Sequence, residues 1–113
     1  MKKNNKVEPP KPSSVEINGE GRIKARILDA ESGLRELTNV YAVRIHSRKF
    51  YALIMNDYLP TLGKVEGSVT FLSKEGELPY RGIRGFYKHQ HNEFTLLIED
   101  HIQINEDEMK EEE

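Results

Sequence analysis

Apolar and polar residues alternate in short runs along most of the chain. Ile23-Lys24-Ala25-Arg26-Ile27 places an apolar side chain at every second position, the period of a strand with one buried and one wetted face. Val40-Tyr41-Ala42-Val43-Arg44-Ile45, Phe50-Tyr51-Ala52-Leu53-Ile54-Met55, Val65 to Leu72, Tyr80 to Lys88 and Glu93 to Ile102 continue the series. The breaks carry turn chemistry at Glu31-Ser32-Gly33, His46-Ser47-Arg48-Lys49, Asn56-Asp57, Lys74-Glu75-Gly76-Glu77 and His89-Gln90-His91-Asn92. Only Asn105 to Glu113 admits a helical period, and Met109 is its one apolar anchor. Short strands at spacings near ten residues, without amphipathic helices between them, predict an all-β antiparallel sandwich or barrel rather than βαβ units.

The ends read differently. Residues 1–14 combine Lys, Asn, Pro and Ser with little to bury, which predicts a flexible arm. Residues 105–113 form an acidic tail, disordered or a short helix, and residues 15–104 form the one domain. Of the 113 residues, 36% are hydrophobic and 32% charged, and no apolar run is long enough to cross a bilayer as a helix. Val7-Glu8-Pro9-Pro10-Lys11-Pro12 stands where a secretory signal needs its apolar centre, so a soluble, cytoplasmic chain is expected. Cysteine is absent, which removes disulfides and thiol chemistry. The formal net charge is -2, and between Val15 and Gln103 the 12 Lys and Arg balance 12 Asp and Glu. That balance argues against a phosphate-binding surface.

The candidate chemistry is sparse. His89 and His91 sit at i and i+2, a spacing that could bind zinc or nickel with Glu93, but no third strong ligand is near and a solvated hairpin tip accounts for them. No metal or other cofactor is expected. His46 and His101 are isolated and expected to face solvent or a partner. No nucleophile elbow, fixed nucleophile–base pair or phosphate-cradling glycine loop occurs, so no catalytic residue is assigned. Tyr80-Arg81-Gly82-Ile83-Arg84-Gly85-Phe86-Tyr87-Lys88 interleaves rings with cations, as single-stranded nucleic-acid readers do. A strand with one aromatic core face and one charged face produces the same string.

Gly85-Phe86 is followed, after seven intervening residues, by Phe94, with Leu97 three further on. In this spacing the chain resembles the N-terminal β-sandwich domain of the epsilon subunit of rotary F-type ATP synthases. Asp57-Tyr58-Leu59-Pro60-Thr61 corresponds to the family's Gly-His-Ala-Pro-Leu segment and keeps its proline, and Ile27-Leu28-Asp29-Ala30-Glu31 resembles the opening strand and its exit. The likeness spans roughly Ile23 to Ile104. It implies a single antiparallel β-sandwich of about ten short strands, with Phe86, Phe94 and Leu96 alternating onto the core face and Gly85 admitting a neighbouring backbone.

The same resemblance implies a non-catalytic central-stalk subunit, which binds the gamma subunit and couples head to rotor in ATP synthesis or hydrolysis and proton transport. Such a chain is peripheral to the membrane through its complex, without inserting into it. Arg48, Lys49, Tyr58, Leu59 and Pro60 are then the residues for the rotor-facing end, with Arg84 and Tyr87 as further partner contacts. Two departures redirect the expectation. The family's two C-terminal helices have no counterpart, and Ser47-Arg48-Lys49 is basic where the family turn is acidic. An F1-like motor not coupled to a proton ring, with a substitute for the rotor ring, is therefore an alternative. A small nucleic-acid-binding module centred on Tyr80 to Lys88, or a generic adaptor, is another. A closed five-stranded barrel or a helical body would be incompatible with the stalk reading.

Overall fold

A computed structural model describes residues 21–103; the expected arm and acidic tail lie outside them, as do residues 15–20 and 104 of the expected domain. Six strands follow in chain order: β1 (Ile23–Asp29), β2 (Gly33–Ser47), β3 (Tyr51–Met55), β4 (Thr61–Ser73), β5 (Gly76–Gln90) and β6 (Glu93–His101). The fold is all-β. In β1 every second side chain is buried, as its alternation predicts. Two hairpin turns fall inside the expected breaks. His91 and Asn92 both adopt left-handed backbone, φ 54° and 59°, giving the two-residue turn whose twist matches the flanking strands. At the other hairpin Gly76 takes φ 124°, a conformation that a Cβ would strain.

All six strands belong to one sheet, in the order β1-β6-β5-β4-β2-β3, and a further pairing of β1 with β2 closes it. The closed ring has five members, with β3 added at the edge of β2. Successive ring members run antiparallel, so with an odd number the first and last must run the same way, and β1 pairs β6 in parallel. The described residues therefore differ from the expected ten short antiparallel strands. They also close through five strands, the feature set against the stalk reading. Alternation marks strand positions but does not say how far a strand runs. Here β2, β4 and β5 continue through irregularities instead of ending.

Those irregularities bend the long strands. The ladder of β2 shifts register between Val40 and Ala42, beside Asn39 at φ 61°. The β4–β5 ladder shifts between Gly67 and Ser68, and the β5–β6 ladder between Arg84 and Gly85. Such bulges sharpen local twist and let one strand serve two walls. The first half of β2 pairs with β1, and its second half with β3 on the same edge and β4 on the other. Gly85 is the tightest point: a Cβ there would lie 1.9 Å from the carbonyl oxygen of Leu97. Its expected role in admitting a neighbouring backbone is what the structure shows.

Ile23, Ala25, Ile27, Val43, Ile45, Ile54, Val69, Phe71, Ile83, Phe94, Leu96 and Ile98 fill the interior. The Phe94 ring lies 5.7 Å from Phe71, edge to face, and 5.9 Å from Tyr87, stacked. Two sequence expectations are corrected here. Phe86 points outward and Tyr87 inward, because β5 buries Ile83, Gly85, Tyr87 and His89 and exposes the residues between them. His89 is fully buried rather than at a solvated tip, since the turn falls two residues later, at His91 and Asn92.

Candidate functional site

The outward side chains of β1, β5 and β6, with those of adjoining strands, form cross-strand rows. Leu28 stands opposite Leu34 of β2 and opposite Leu97 of β6; Leu97 stands opposite Phe86 of β5, and Phe86 opposite Lys64 of β4. Leu34, Leu28, Leu97 and Phe86 are all exposed, so an unbroken apolar row crosses four strands on the solvent side. At strand spacings of about 4.8 Å it runs on the order of 14 Å. Leu28, Leu34 and Leu97 also line a shallow depression of about 600 Å³.

An ionic row lies along one flank. Glu66 is ion-paired with Arg48 at 3.6 Å and with Arg84 at 3.8 Å, while Arg84 reaches Asp100 at 2.6 Å. The Asp100 hydrogen bond, reinforced by its charge, holds the Arg84 guanidinium even more firmly protonated than usual. Leu62, Lys88, Thr95, Arg26 and Glu36 make up the row on the other flank, with Arg26 paired to Glu36 at 3.3 Å. Lys64 and Lys88, both exposed, make no ion pair among the described residues; Lys64 stands opposite Phe86 in the β4–β5 ladder and Lys88 two residues along β5 from it. One end of the apolar row thus carries free positive charge.

Asp29 braces the other end. Its carboxylate accepts the Glu31 backbone N–H at 2.9 Å and lies 2.8 Å from Nε2 of His101. The Glu31 hydrogen bond, acting against burial and aided by His101, holds the carboxyl below the usual carboxylate range. His101 is exposed, as the sequence suggested, but it is paired with Asp29 and not isolated. The pair joins the end of β1 to the end of β6, which keeps Leu28 and Leu97 in register.

The proposed partner residues are distributed over three places. Arg48 and Arg84 are brought together through Glu66. Lys49 is exposed beside Arg48 in the turn before β3, whereas Tyr58, Leu59 and Pro60 follow β3, so one strand separates these two groups. Leu59 is 77% exposed, the most accessible of the large apolar side chains described. Tyr87, 8% exposed and stacked on Phe94, has no surface to offer a partner and is corrected to a core residue. Sequence reasoning missed Leu28, Leu34 and Leu97. Each sits on the polar phase of its strand, and an apolar residue out of phase was the available signal.

Among the described residues no three His, Asp or Glu side chains gather as a metal site, and no helix is long and apolar enough to cross a membrane. Between Arg81 and Lys88, the outward set is Arg81, Arg84, Phe86 and Lys88, with Arg84 neutralised by Asp100 and Glu66. No protein-family model and no curated protein matches this chain.

Proposed function

We propose that this protein is a non-catalytic docking subunit that seats an amphipathic helix of a partner on the apolar row. The single observation that carries the reading is the unbroken outward run Leu34, Leu28, Leu97, Phe86, closed off by ionic pairs on both flanks. A helix is about 10–12 Å across with side chains and covers 14 Å in roughly ten residues. Fully desolvated apolar centres with charged rims are the anatomy of specific interfaces. Lys64 and Lys88 favour a partner helix with acidic residues flanking its apolar stripe.

The most specific form of this reading is the epsilon-like stalk subunit of an F-type or F1-like ATPase, with a gamma-like coiled-coil shaft as the partner and a rotor ring or its substitute beyond. The residue resemblance supports it. So does the pairing: counting each bent strand once per half gives nine segments, close to the number implied. One group would be β3 with the second halves of β2 and β4 and the start of β5. The other would be the first half of β2, β1, β6, the rest of β5 and the start of β4. In a flattened arrangement of that kind the two groups are the layers of a sandwich, and the closed ring is its pair of corners. This form holds only if the five-strand closure is that pair of corners and not a closed barrel, which would exclude it, and the basic Arg48-Lys49 turn points to the variant without a standard proton ring.

Affinity purification of the tagged full chain tests both levels. Copurification of catalytic ATPase and gamma-like subunits with the native chain, lost with Leu97→Glu, is the expected result. Retention of those subunits by Leu97→Glu removes the apolar row from the reading. Their absence, with saturable polynucleotide binding that weakens steeply with salt, replaces it by the nucleic-acid module.

A further inference from the structure

His89 is fully buried, and neither Nδ1 nor Nε2 meets a hydrogen-bond partner. Its ring lies against two others: Tyr58 of the β3–β4 connection, at 6.5 Å and edge-on, and Phe94 of β6, at 6.1 Å. Thr61 of β4 is its ladder neighbour on the other side. The charged and titratable groups of every element around it face away. Lys88 and His91 next to it in the chain, Glu93 of β6, Lys64 of β4, Arg22 and Lys24 at the start of β1, and Asp57 of the connection are all exposed. The imidazole therefore has nothing to stabilise a positive charge, and burial pushes its pKa below the ordinary histidine range.

The walls around His89 differ in strength. Phe94 and Thr61 belong to continuous ladders of β5 with β6 and β4. Tyr58 belongs to the connection 56–60, which is fastened from outside by a polar latch. Arg22 N–H donates to Asn56 Oδ1 at 3.0 Å, and the Arg22 guanidinium pairs with Asp57. Asp57 N–H in turn donates to Asn92 Oδ1 at 2.7 Å, and Asn92 Nδ2 donates back to Asp57 Oδ1 at 2.9 Å. Asn92 first, then Arg22, holds the Asp57 carboxyl below its usual range, so the latch stays charged through mildly acidic pH. The inner contact, Tyr58 on His89, is the one that a proton disturbs.

We propose that His89 is a proton-operated catch: when its imidazole is protonated in mildly acidic solution, the Asn56 to Pro60 connection lifts from the end of the sheet while the β5–β6 ladder stays paired. A buried, unpaired imidazolium is relieved by water, and the segment without ladder bonds gives way first. The inference rests on the fold alone, and it would make any partner bound at Tyr58, Leu59 and Pro60 pH-sensitive. Amide hydrogen exchange on the full chain between pH 7.5 and 5.0, corrected for the intrinsic rate, tests it. In the native chain exchange at Asp57 and Tyr58, whose N–H groups donate to Asn92 Oδ1 and to the Met55 carbonyl, rises at least about tenfold as pH falls through the His89 titration followed by NMR. His89→Phe and His89→Gln show no such rise. The same rise in either variant overturns the proposal. So does a rise spread equally over β5 and β6, or a His89 titration that leaves exchange unchanged; these two are read on the native chain and need no variant to fold.

Discussion

Phe86 and Leu97 stand directly opposite each other on the outer face of β5 and β6, 40% and 43% exposed, at one end of an apolar row that no described residue covers. Cross-strand pairs of this kind stabilise a sheet by about 0.2–1 kcal/mol, far less than the same side chains yield when a partner desolvates them. Leu97→Glu is accordingly expected to leave the thermal midpoint nearly unchanged, within about 1 kcal/mol of stability, while weakening partner binding by about 2 kcal/mol or more, roughly thirtyfold. Paired thermal melts and binding isotherms check the split. A variant that unfolds would instead make Leu97 a structural residue.

Gly85 and Gly63 both face β-ladder neighbours, but they predict different costs. Gly85→Ala must push against the Leu97 backbone carbonyl at 1.9 Å, whereas Gly63→Ala meets the Tyr87 ring at 3.1 Å, a contact relieved by a shift of a few tenths of an ångström. Gly85→Ala is expected to cost more than about 3 kcal/mol by separating β5 from β6, and Gly63→Ala about 1 kcal/mol or less. Denaturant midpoints at constant slope measure both.

Asp29 is expected to govern the acid limb of stability. Its folded carboxyl titrates below the unfolded value of about 3.9, so the stability it contributes is present above that value and is lost as pH falls through the folded one. Asn at position 29 cannot titrate, and the melting curve of Asp29→Asn should be flatter than that of the native chain below about pH 4. His89 acts in a separate window. Its folded pKa is lowered, so the unfolded state binds more protons and stability already declines as pH drops below about 6.5. Thermal midpoints from pH 8 to 2 should show the two steps, and His89→Phe should lose only the upper one.

Phe94 touches Phe71, Tyr87 and His89 at once, all within 6.1 Å between ring centres. Phe94→Ala is expected to cost about 3–5 kcal/mol, since a cavity would open among rings whose backbones are fixed by three ladders. His91→Gly, at a left-handed position exposed to solvent, should be neutral or slightly stabilising. Urea titrations of the two variants bracket the range expected for this hairpin.

Much of the local structure was legible before any coordinates. The alternation of Ile23 to Ile27, a turn somewhere within His89 to Asn92 and the use of glycine at position 85 follow from strand period, turn-residue chemistry and close backbone approach. The side to which a phase points was harder. Phe86 looked like core because it is aromatic, yet Gly85 and Tyr87 are the inward residues and the side chains between them must face out. His89 looked like turn because it is polar, yet the turn begins two residues later and leaves it inside the barrel end.

The chain's own pattern determined an all-β domain, the places where strands exist and the residues that can turn, because those depend on neighbours one to four positions apart. Tertiary structure decided that long strands bend instead of ending, that β1 meets β6 in parallel, and that four apolar residues distant in sequence line up on the outside. Register between strands far apart in the chain is set by which whole set of side chains can be buried together, and no local window contains that information.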